Sequence, residues 1–130
     1  MPTDVIKVIP KTTYDFTSGS ATHVVCRALD VTASSQGALL VRAHDHSIAS
    51  GGSVVVTVKI SAPSHEEPSI DFIGDEVASA TLNSSSPAAP LLIKDDLDAA
   101  FGGFLWVEVV GTQGSGTTSA TISCDLAMTV

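Results

Sequence analysis

The stretch Ser53-Val-Val-Val-Thr-Val-Lys-Ile-Ser-Ala62 decides how this chain is read. Val54, Val56, Val58 and Ile60 recur at every second position, with Thr57, Lys59 and Ser61 between them. In an extended chain successive side chains point to opposite faces, so this alternation predicts a β-strand with one face buried and one face wet. The pattern returns in Gly103-Phe-Leu-Trp-Val-Glu-Val-Val110 and in Ala120-Thr-Ile-Ser-Cys-Asp-Leu-Ala-Met128.

Working outward from these segments, strands are expected at Val5–Ile9, Thr12–Phe16, His23–Val31, Ala38–His46, Ser53–Ser61, Val77–Leu82, Pro90–Ile93, Phe104–Val110 and Thr118–Met128. The breaks between them are rich in Gly, Ser, Asn and Pro, as in Ser18–Ser20, Ser34–Gly37, Ser50–Gly52, Asn83–Pro87 and Gly111–Gly116. These residues supply the backbone conformations that turns require. Lys94-Asp-Asp-Leu-Asp-Ala-Ala-Phe101 predicts one short helix near 95–101, with Asp95 or Asp96 as its cap and Leu97 and Phe101 on one side. The fold expected is all-β: an antiparallel β-sandwich or jelly roll of eight to nine strands plus that helix, forming one domain over residues 1–130.

Composition narrows the function. Fourteen acidic residues against six basic ones give a net charge of −8, and no Lys or Arg follows Lys94. Binding nucleic acid needs clustered cations, and here they are scattered singly, so neither nucleic acid nor an anionic membrane is an expected partner. The start, Met-Pro-Thr-Asp, lacks a basic leader and an apolar run with a cleavage site. That predicts synthesis and residence in a cytoplasm. Cys26 and Cys124 both fall in strand patterns. They read as buried packing thiols, with a bridge between strands as the alternative.

Candidate sites are few. His44 and His46, two apart in a strand, project to one side and form a weak metal-ligand pair, but no third ligand accompanies them. Asp71–Glu76 and Asp95–Asp98 gather carboxylates without the spacing of a calcium loop. No serine lies in a Gly-x-Ser-x-Gly turn, and Gly111–Gly116 joins two strands instead of leading into a helix with a closing lysine. The chain therefore reads as non-enzymatic, with no cofactor. Phe104 and Trp106 are the more informative residues. If Leu105, Val107 and Val109 face the core, these aromatics stand on the outer face beside Glu108, either covered by a loop or helix or anchoring a protein interface. Leu40, on the outer side of its strand, joins them as an interface candidate.

The Ser/Thr/Gly/Ala/Val-rich strands, the acidic balance, the lone short helix after Lys94 and the closing Thr118–Val130 strand together resemble the small β-sandwich virion proteins of tailed bacteriophages, such as decoration proteins and tail subunits. That resemblance implies a structural homo-oligomer in contact with a larger assembly, a capsid or a tail, without cofactor or catalysis. It also implies residence in a virion or virion-like particle. Two other readings compete. One is a carbohydrate-binding module stacking sugars on Trp106 or Tyr14, and the other is a degenerate cupin holding a metal at His44 and His46.

Overall fold

The computed structural model describes residues 3–30, 34–61, 76–97 and 104–129. Among them are eight strands: β1 (Thr3–Phe16), β2 (Ser20–Asp30), β3 (Gln36–Ser47), β4 (Ser53–Ser61), β5 (Glu76–Asn83), β6 (Leu91–Asp96), β7 (Phe104–Thr112) and β8 (Thr118–Thr129). They form two four-stranded antiparallel sheets in the orders β1-β8-β3-β6 and β2-β7-β4-β5. First pairs with last, second with seventh, third with sixth and fourth with fifth. The chain is thus one long hairpin wrapped around a common core, which is the jelly-roll form of the expected sandwich.

Alternation explains the core directly. Leu39, Val41 and Ala43 of β3, Val54, Val56 and Val58 of β4, Leu105, Val107 and Val109 of β7, and Ile122, Cys124, Leu126 and Met128 of β8 are all at most 1 % exposed and belong to one cluster. Removing a fully buried aliphatic side chain from such a layer costs roughly 1.5–3 kcal/mol of transfer free energy before any cavity term.

Two expectations need correction. The segments Val5–Ile9 and Thr12–Phe16 are a single strand, interrupted by register shifts between Lys7 and Ile9 and between Ile9 and Thr12. Pro10 lies within that interruption, where its missing N–H breaks no ladder bond that a regular strand would need. The helix expected to begin near Asp95 is strand at its start. Asp95 and Asp96 pair with Leu39 and Ala38 of β3, and the Leu97 N–H donates to the Gly37 carbonyl at 2.9 Å. Outward Leu92, Lys94 and Asp96 are exposed while their inward neighbours are half-buried, so a period of two prevails there. Residues 98–101 lie outside the described residues. The first and last described strands hold each other, Thr3 standing opposite Thr129 in the β1–β8 ladder.

One end of the sandwich is tied by its turns. The buried Thr118 hydroxyl accepts from the Ala49 N–H at 3.2 Å and donates to the Gln113 carbonyl at 2.9 Å. Gln113 exchanges two hydrogen bonds with Gly19, and the Ser115 N–H reaches the Ser50 carbonyl. Gly114, at φ 72°, lies so close to the Gly52 backbone that no β-carbon fits there. Phe16 crosses the core from β1 and rests its ring on Gly111 of β7, whose missing side chain provides the seat.

Candidate functional site

The four edge strands, β1 and β6 of one sheet and β2 and β5 of the other, each carry features that disfavour pairing with another chain. β1 has its bulges, Pro10 and exposed Lys7 and Lys11, and β2 has register shifts on either side of Cys26. β6 is six residues long. The Asp95 carboxylate of β6 accepts from the Ser79 N–H of β5 at 2.9 Å, stapling one seam of the sandwich. At the other seam the His23 ring lies between Tyr14 and Phe16, with ring centroids 5.7 and 6.0 Å away. Bulges, lysines and covered backbone are how sheet edges are kept from joining their copies. The outer faces of the sheets carry no such protection.

On the outer face of β2-β7-β4-β5, Trp106 stands opposite Lys59 and on the side away from Leu105 and Val107, as its position in β7 requires. Its side chain is only 3 % exposed in the single chain. The chain itself buries this ring, which removes it as a bare anchor for another molecule. Glu108 and Thr57 beside it are buried as well, and Lys59 Nζ lies 3.2 Å from Glu108 Oε2. Phe104 is half-buried.

The outer face of β1-β8-β3-β6 is different. Across it, strand by strand, run Val5, Ala127, Ala38 and Asp96, then Lys7, Asp125, Leu40 and Lys94. A third row brings Ser123, Arg42 and Leu92 together. The Arg42 guanidinium grips the Asp125 carboxylate at its centre. Val5 and Leu92, 66 % and 58 % exposed, are the large apolar side chains left open among the described residues. Leu40 is half-buried between them, one step diagonally from Leu92. A shallow depression of about 690 Å³ lies over Gly37, Ala38, Leu40, Lys94 and Asp96, and a smaller one of about 290 Å³ over Arg42, His44, Pro90 and Leu92. The charged groups of the larger depression, Lys94 and Asp96, are well exposed, and no buried titratable group converges on it.

The two histidines do not share a face. A register shift between Ala43 and Asp45 makes His44 the extra residue of a bulge, so its Nε2 meets Ser123 Oγ at 2.9 Å on the outer face. His46 is paired with the buried Ala120 and bonds the Pro87 carbonyl at 2.8 Å. The strand periodicity that joined them is broken by that single inserted residue. No group of three or more potential metal ligands occurs among the described residues. The carboxylates Asp71 and Asp75 lie outside the described residues.

Both cysteines are free. Cys124 is fully buried on the inner face, where burial, then the neighbouring Asp125 charge, pushes its thiol from 9.0 up to about 12. Cys26 packs against the same core and burial raises its thiol too. Tyr14, half-buried, is also raised, chiefly by desolvation.

No known family model matches the chain, and no curated protein does. Solved structures do. The chain superposes on the VP2 subviral particle of infectious bursal disease virus with a TM-score of 0.62 at 16 % identity, over 99 % of its own length and 32 % of the other chain. Chains from the Gx and Gt strains of the same virus each superpose with a TM-score of 0.52 at 15 % identity and the same coverage. At such identity the likeness is one of fold, and this chain spans about a third of the length of those it matches.

Proposed function

We propose that this chain is a non-enzymatic structural subunit whose copies build or cover a protein particle of virion type. The observation that carries the reading is the superposition of nearly the whole chain on chains from viral particles. Its sandwich has all strands paired, its turns cross-tied at one end and its edges protected, which suits a brick that must hold its shape while contacts are made by its faces. Repetition by symmetry then turns modest contacts into a durable shell.

The finer form of the reading is the decoration or tail role that the sequence resembles. Negative-stain imaging of the purified chain and of particles from its native source tests both levels. Closed shells, rings or tubes are expected, knobs on a shell point to decoration, and tubes point to a tail. A monomer at every concentration reachable overturns the proposal.

A further inference from the structure

Resting on the reading above, we infer that the outer face of the β1-β8-β3-β6 sheet is the surface on which a second copy of this chain packs. The first ground is contrast of exposure. Trp106, Glu108 and Thr57 on the opposite outer face are already buried within one chain, whereas Val5 and Leu92 stand open on this one, with Leu40 half-buried between them. Open aliphatic side chains on both edge strands of one face, flanking the central Arg42–Asp125 pair, are apolar surface that a packed copy would cover.

The second ground is charge, and it selects a copy of the same chain as occupant. Two molecules each carrying −8 repel, and they approach at least cost where local charge is smallest. Lys7, Arg42 and Lys94, half of the six basic residues, lie on this face against Asp15, Asp45, Asp96 and Asp125. The face is close to neutral, with both signs interspersed. Lys7 has no ion-pair partner among the described residues, and the Asp96 side chain is 77 % exposed. Lys7 is open to pair across a contact, and Asp96, 3.6 Å from Lys94 on its own strand, is exposed enough to exchange that partner for one on another copy.

The third ground is size. Four strands set about 4.8 Å apart, and roughly eight residues of rise at 3.4 Å each, give a face of about 500 Å², so two copies would bury roughly 1,000 Å² in total, the small end of specific interfaces. Sheet faces pack on one another about 10 Å apart when their side chains interdigitate, and small Ala38 and Ala127 leave room for the partner's Val5 and Leu92 to enter.

The test uses the full chain in two measurements. Sedimentation velocity is run on wild type and on a Val5→Lys/Leu92→Lys double variant, with the thermal melt recorded to show that the fold is retained. The expected result is an oligomer for wild type, and for the variant a loss of association by about tenfold or more with an unchanged melt. In parallel, a zero-length amine-to-carboxylate crosslinker is applied to a mixture of isotope-labelled and unlabelled chains. Mixed-label peptides joining Lys7 or Lys94 to Asp96 or Asp15 are expected. A wild-type oligomer that persists in the variant, with its crosslinks elsewhere, overturns this face while leaving the structural-subunit reading standing. A wild-type chain that never associates overturns both.

Discussion

The two sheets bury their inner faces alike, but their outer faces differ. On β7 and β4 the outward Trp106, Glu108 and Thr57 are shielded within one chain, and the Lys59 ammonium covers the Glu108 carboxylate. On β8 and β3 the outward residues stay half-buried or exposed except Asp125, which is buried under its Arg42 pair, and Val5 and Leu92 on the flanking strands stand bare. The difference teaches that an apolar residue on an outer sheet face marks an interface only after its own chain has declined to cover it. Here the largest such residue is the one already covered.

The strongest way to break the comparison is Trp106→Ala. A ring buried in the single chain should cost roughly 3–5 kcal/mol of stability when truncated, read from the midpoint of urea unfolding. If the variant unfolds like wild type and only associates less well, the assignment of the two faces is reversed.

The interior between the faces gives a pH test. The Cys124 thiol is raised in the fold, so the protonated form is favoured there. Its contribution to stability is fully present below the unfolded value of 9.0 and is lost as pH rises toward about 12. Stability should therefore fall on the alkaline side of 9, and a Cys124→Ala variant should show a shallower fall. A thiol reagent at pH 8 should leave Cys124 unmodified in the folded chain, and complete labelling would show that the inner face is open.

A smaller effect separates the two ion pairs. The two carboxylates are buried alike, so Glu108→Ala, which strands the more covered Lys59, should cost about 1–3 kcal/mol, and Asp125→Ala, which frees an Arg42 half in solvent, should fall at the low end of that range. A larger loss for Asp125→Ala in denaturant titration would show that exposure of the cation does not set the order. Smallest of all, Leu92→Ala should change unfolding free energy by less than about 0.5 kcal/mol, since its side chain is already in water. A large loss would mean that it is covered after all.

Much of this architecture was legible beforehand because alternation is a local property. Val54 to Ile60 and Leu105 to Val109 show their inward faces to anyone counting by two, and Gly, Ser and Pro mark where the chain must turn. Three things escaped that count. The bulge at His44 inserts one residue and sends His46 to the other side, a change of pairing that leaves no trace in composition. The strand at Lys94–Asp96 looked like a capped helix because Asp caps helices in isolation, yet here pairing with β3 outweighs that preference. The burial of Trp106 depends on what else in the chain comes to rest upon it.

The order of side chains along each strand, by itself, settled that this protein would be layers of sheet around an aliphatic interior, because every second residue must share a face. Which strands lie side by side, where a bulge reverses that order, and which outer face is left bare were decided only when distant segments met. Those choices depend on pairing and packing between residues as far apart as Thr3 and Thr129, which no local pattern encodes.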